Sequence, residues 1–233
     1  MSEFSKILLW TDGKTASTSI LSSFPNYIGN KKTLQLLHSK SHNLDNYQVF
    51  QIHGIECGEH FLNHYKNMLI ITVVRNPLER NISAFWQNID INCPEWKQMS
   101  TEDIITIFNN TYNHNFTDEW IKGFFEKTGI DLTEFSFDPF QKHFKKIIKN
   151  NNLIILSRFE DMDFVIDNVY NNYVKISKLK KNAGENKKYS SKYKDFKEKY
   201  RIPKNLLEIY KNQETLQKFY NEAELNTFFN KYK

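Results

Sequence analysis

Four short apolar runs punctuate the first two thirds of the chain: Ile7–Trp10, Val49–Ile52, Leu69–Val74 and Leu153–Leu156. Each is rich in β-branched or aromatic residues and ends at polar or turn residues, the pattern of a strand buried on both faces. Between them lie stretches with helical spacing. Ser17–Phe24 follows the first run, Gly58–Tyr65 the second, Pro77–Asn88 the third and Glu160–Tyr173 the fourth. Pro77 suits the first turn of its helix. Strands alternating with helices predict an α/β fold with a mostly parallel sheet between helical layers.

The stretch 90–150 departs from this alternation. Thr101–Asn109, Thr117–Lys127 and Pro139–Asn150 all read as helix, so the stretch is expected to be a helical insertion. A helical tail is expected at 203–233. With 233 residues and 27.9 kDa, one domain spanning 1–233 accommodates both.

Composition narrows the class. Apolar residues are 39% and aromatics 15%, which excludes a disordered or fibrous chain. No apolar run reaches membrane-spanning length. MSEFSKILLW enters a strand pattern without the regions of a signal peptide, so a cytoplasmic protein is expected. Cys57 and Cys93 alone exclude a disulfide scaffold. The charge is +5, but Lys175–Lys204 alone holds twelve basic and three acidic residues. The remainder is therefore acidic, which argues against a nucleic-acid partner. The basic stretch is either a solvated face or a contact for an anionic ligand.

Chemistry concentrates after the first and third runs. The segment Thr11-Asp12-Gly13-Lys14-Thr15-Ala16-Ser17-Thr18-Ser19 is a turn opening onto a helix. Gly13 eases the turn, Lys14 supplies charge, and the hydroxyls with the helix's first N–H groups favour an anion. It is not a Walker A loop, which needs Gly where Leu8 stands. After the third run comes Arg75-Asn76-Pro77, with Ser83 farther along the helix. The chain has four arginines, two of them Arg75 and Arg80. A planar fork retained amid abundant lysine fits bidentate phosphate recognition. Arg75 stands at a strand's carboxyl end, where open α/β sheets bind ligands. Arg80 reads better as a structural partner of Glu79 or Asp161.

Together, GKTASTS and VVRNPLERNISAFW resemble the 5′-phosphosulfate loop and 3′-phosphate motif of sulfotransferases that use 3′-phosphoadenylyl sulfate (PAPS). LSRFEDMD resembles that family's fourth-strand ending. LLEIYKNQETLQKFYNEAEL is similar to the closing helices of carbohydrate sulfotransferases of the bacterial or viral capsular type. The resemblance implies a P-loop NTPase-like three-layer sandwich. Lys14 would contact the sulfuryl group. Gly13, Lys14, Thr15, Ala16, Ser17, Thr18 and Ser19 would form the 5′ cradle, and Arg75 with Ser83 would hold the 3′-phosphate. Ala16 replaces the commoner glycine and is expected to need negative φ. Lys187–Lys188 would close over the nucleotide. The product would be adenosine 3′,5′-bisphosphate, the acceptor a hydroxyl of a saccharide, and no metal is expected.

In-line sulfuryl transfer needs a base for the acceptor proton. His53, at the end of the second run, is preferred, with Glu56 as the alternative. His38 and His42 are outsiders. His60 and His64 share a helix face but lack a third ligand. Rival readings are a degenerate kinase using ATP–Mg²⁺ with Asp161, and a non-catalytic nucleotide-binding capsule-assembly protein.

Overall fold

The computed structural model describes residues 4–24, 34–36, 39–44, 47–132, 144–177 and 187–233. The strands are β1 (Lys6–Trp10), β2 (Leu34–Leu36), β3 (Ser39–Leu44), β4 (Tyr47–Ile52), β5 (Met68–Val74), β6 (Phe144–Lys149) and β7 (Asn152–Arg158). The helices before β6 are α1 (Ser17–Ser22), α2 (Ile55–His64), α3 (Pro77–Gln87), α4 (Ile89–Asn92), α5 (Thr101–Thr111) and α6 (Phe116–Thr128). After β7 come α7 (Met162–Asn168), α8 (Ser190–Lys199), α9 (Lys204–Lys211), α10 (Glu214–Phe219) and α11 (Glu222–Asn230).

The described residues fall into two compact units. One comprises those within Met1–Arg75 and Trp120–Lys181, the other those within Asn76–Glu119 and Asn182–Lys233. The first is a mixed seven-stranded sheet in the order β2-β3-β4-β1-β5-β7-β6. Its centre, β4-β1-β5-β7, is parallel. All seven residues of β5 are buried, as expected for a strand covered on both faces.

Side chains alternate between those faces. Ile7 and Leu9 join a core with Ile20 and Leu21 of α1 and Val165 and Ile166 of α7. Trp10 points the other way, against Phe124 of α6, at 4.8 Å between ring centroids, while Phe50 meets Phe61 of α2 at 4.8 Å. Helices thus cover both sides, and the α/β reading stands. Gly58 of α2 sits so close to Trp10 that a Cβ there would lie 1.9 Å from the indole.

Two expectations change. Within the expected helix Pro139–Asn150, the residues Phe144–Lys149 form strand β6, antiparallel to β7. Asn150 and Asn151 link them with φ of 50° and 59°, the two-residue hairpin that Asn tolerates. Tertiary pairing overrides the helical spacing, and residues 139–143 lie outside the described set. The expected helix Glu160–Tyr173 is broken into 3-10 turns at Phe159–Asp161 and Tyr170–Asn172 on either side of α7. Strands β2 and β3 were not expected: β2 is only three residues long, and β3 has Leu44 as its one apolar residue.

The second unit is helical. In α3, Leu78, Ile82, Phe85 and Trp86 form one apolar face. Asn76 caps it by accepting from the Leu78 N–H at 3.1 Å, and Pro77 starts it. That face shares a core with Ile104 and Phe108 of α5, Phe196 of α8, Tyr210 of α9, Leu216 of α10 and Phe229 of α11. No helix among the described residues is long and apolar enough to cross a membrane.

Candidate functional site

The chain leaves β1 for β4 on one side of the sheet and leaves β5 for β7 on the other. The carboxyl ends of β1 and β5 therefore flank the point where strand order reverses, the ligand-binding crevice of open α/β sheets. The two anion loops expected from sequence emerge there. Arg75 Nη1 donates to the Lys14 carbonyl at 3.2 Å, so the loops touch. The Arg75 guanidinium also lies 4.6 Å from the Phe159 ring centroid.

The loop after β1 is wound by left-handed residues: Gly13 at φ 78°, Lys14 at 62° and Ala16 at 65°. The expectation that Ala16 needs negative φ is corrected. It enters α1 in the left-handed conformation, at a cost of about 1–2 kcal/mol for a residue with a Cβ. Such turns expose successive backbone N–H groups to one side, a setting suited to anions. Thr15 is fully buried, and its Oγ1 has no hydrogen-bond partner among the described residues. Ser17 is buried and accepts from Gln51 Nε2 at 3.0 Å. Thr18 is exposed. The Ser19 carbonyl accepts from the hydroxyls of Ser22 and Ser23 at 2.9 and 2.7 Å. Asp12, which the sequence reading passed over, is a buried carboxylate inside this loop.

His53 is exposed at the carboxyl end of β4, which neighbours β1. The Thr11 N–H bonds the Ile52 carbonyl at 3.2 Å, extending the ladder and bringing Thr11 beside His53. Nδ1 of His53 lies 3.1 Å from the Thr11 carbonyl and 3.2 Å from its Oγ1. A carbonyl only accepts, so Nδ1 carries the hydrogen and Nε2 holds the lone pair of the neutral ring. That is the protonation a base requires. Glu56, on the first turn of α2, is 81% exposed and 3.7 Å from Lys127 Nζ. Lys127 also pairs with Glu59 at 3.0 Å, and this bond, with Glu56 behind it, holds the ammonium above its usual value.

His60 and His64 stack at 3.9 Å, with His64 Nδ1 donating to the His60 carbonyl. No group of three or more metal-ligating side chains occurs among the described residues. His42 is buried on β3 opposite Val49, and His38 lies outside the described residues. Asp161 accepts from Arg158 Nε at 2.5 Å.

In the helical unit, Ser83 is partly buried on α3. Arg80 is buried over the Phe116 ring at 4.1 Å and donates to the Tyr112 hydroxyl at 3.2 Å. Glu79 accepts from Lys231 and Tyr232. Much of the basic stretch also serves this unit. Lys188 pairs with Asp90, Lys199 with Glu102 and Asp195, and Lys192 donates to the carbonyls of Trp96, Lys97 and Met99. Lys178, Lys180 and Lys181 lie outside the described residues.

Sequence reasoning missed Thr11, Gln51 and Phe159. Each sits at or next to a strand's carboxyl end, which was the available signal. No protein-family model matches the chain, and no curated protein matches it.

Proposed function

We propose that this chain is a sulfotransferase that moves the sulfuryl group of PAPS to a hydroxyl acceptor, a carbohydrate by the likeness of its tail. The observation that carries this reading is the contact between the two loops. Arg75 bonds the Lys14 carbonyl at the strand-order reversal, so two anion-seeking loops open side by side. The orphaned Thr15 hydroxyl fits an anion oxygen, since a buried hydroxyl without a partner is costly.

Gly13, Lys14, Thr15, Ala16, Ser17, Thr18 and Ser19 are the proposed 5′-phosphosulfate loop. Arg75 is the proposed 3′-phosphate ligand, with Ser83 assigned to it by sequence. The donor supplies a sulfur with a phosphate oxygen as leaving group. An acceptor oxygen bonds sulfur as the sulfur–oxygen bond to that phosphate breaks. His53 Nε2 takes the acceptor's proton, and the Lys14 ammonium offsets the charge gathering on the leaving oxygen. The rival kinase reading needs Asp161 for Mg²⁺, but that carboxylate is bonded to Arg158.

Thermal shift with adenosine 3′,5′-bisphosphate, ATP–Mg²⁺ or buffer tests the reading. A ligand at 100 times its Kd stabilises by about 2.7 kcal/mol. The bisphosphate is expected to raise Tm, and Arg75→Ala to remove most of that rise. Selective stabilisation by ATP–Mg²⁺ overturns the assignment.

A further inference from the structure

The turn carrying His53 is gripped by two indoles. Trp120 Nε1 on α6 donates to the His53 carbonyl at 2.7 Å, and Trp10 Nε1 at the end of β1 donates to the Gly54 carbonyl at 3.2 Å. His53 and Gly54 are exposed, while both tryptophans are buried. The two indoles meet edge to face at 6.2 Å and share Phe124, which stacks on Trp120 at 5.6 Å and 13°. Gly58 closes the back of this cluster, because only a residue without a Cβ lets α2 lie against Trp10.

The arrangement has a directional consequence. A buried indole N–H needs an acceptor, and here each acceptor is a main-chain carbonyl of the turn. Rotating either peptide plane would strand a buried donor, so the backbone on both sides of the His53–Gly54 bond is held. The His53 ring is then delivered to the Thr11 carbonyl, 3.1 Å from Nδ1. Thr11 follows Trp10 directly, so the residue that grips the turn also sets the height of the carbonyl that selects the tautomer.

We propose that Trp10 and Trp120 are positioning residues that hold His53 in the Nδ1–H form and keep Nε2 the basic nitrogen. The use of Nε2 as the base for an acceptor hydroxyl rests on the sulfotransferase reading; the tautomer and the clamp do not. In that use, the hydroxyl proton ends on Nε2 while the new oxygen–sulfur bond replaces the bond to the donor's phosphate oxygen.

The test is a long-range ¹H–¹⁵N correlation on the ¹⁵N-labelled full chain above the His53 pKa, with the His53 signals assigned by their loss in His53→Gln. The wild-type ring is expected as Nδ1–H. Trp120→Phe and Trp10→Phe keep a ring but delete the donor, and each is expected to admit the Nε2–H form. In transfer assays their kcat falls about 10-fold, with KM for PAPS within about 2-fold, as for a base moved rather than removed. Phe124→Leu loosens the same cluster while keeping both donors, and the tautomer is expected to persist. Trp120→Phe lies outside the central sheet and serves if Trp10→Phe fails to fold. An Nε2–H ring in the wild type overturns the proposal. So does an unchanged tautomer in the folded tryptophan variants, or an equal change in Phe124→Leu. Absence of bisphosphate binding by the wild type would sink the sulfotransferase reading and leave the tautomer result standing.

Discussion

His53 in the sheet unit and His114 in the helical unit both bond through Nδ1, yet to opposite effect. His53 is exposed, and its Nδ1 faces a carbonyl, which leaves the lone pair on Nε2. His114 is buried, and its Nδ1 faces the Tyr210 hydroxyl at 2.7 Å while Nε2 donates to the Phe108 carbonyl at 3.1 Å. Tyr210 also accepts from Asn81 at 3.1 Å. Both nitrogens of His114 are therefore consumed inside the core, and its tautomer is the reverse of that of His53. The arginines divide in the same way. Arg75 stands partly open at a strand end, whereas Arg80 is buried over Phe116. Residue type alone does not separate the two settings; burial by the surrounding fold does.

The largest expected effect breaks the histidine comparison. His53→Ala should lower sulfuryl transfer by about 10²- to 10⁴-fold while sparing bisphosphate affinity. Unaltered transfer would move the base to Glu56. Tyr210→Phe should leave transfer kinetics per folded molecule unchanged and cost about 1–3 kcal/mol of stability, because Asn81 and His114 lose a buried partner. Urea denaturation measures it, and an unchanged midpoint would dissolve the contrast.

A smaller effect appears with pH. Burial holds His114 below its usual value, against the raising bonds to the Phe108 and Asn109 carbonyls. Its folded pKa is thus lower than its unfolded one, near 6.5. Above that pH the ring is neutral in both states. As pH falls below it, the unfolded chain binds the proton first, so stability drops until pH reaches the folded value. His42 contributes with the same sign in the sheet unit, through burial and Lys40. Burial would raise Glu79, but bonds from Lys231 and Tyr232 outweigh it and hold the carboxyl below its usual 4.5. Its stabilisation is present above that pH and is lost as pH falls through the folded value. Unfolding midpoints from pH 7 to 5 should fall for the wild type and fall less for His114→Gln; equal slopes would contradict the assignment.

The smallest effect runs against habit. Ala16→Gly at the start of α1 should stabilise by about 1 kcal/mol, because relief of the left-handed penalty exceeds the added chain entropy of glycine. A lower Tm would show that Ala16 leaves the left-handed region in solution.

The parallel core was legible in the sequence. Runs such as Leu69–Val74 are short, apolar and rich in β-branched residues, the pattern of strands covered on both faces. The turns after β1 and β5 were legible too, since Gly13 and Pro77 mark where each strand gives way to a helix. The strands β2, β3 and β6 were not, because each owes its conformation to pairing with a neighbour; Phe144–Lys149 has helical spacing and becomes a strand only beside β7. Nor could local pattern reveal that Arg75 would reach Lys14, that Ala16 would turn left-handed, or that Trp10 and Trp120 would grip the turn at His53. Those outcomes join residues up to 67 positions apart. Local preference sets which conformations a segment can take, while burial and the pairing of polar groups across such distances select one, and only the closed fold supplies them.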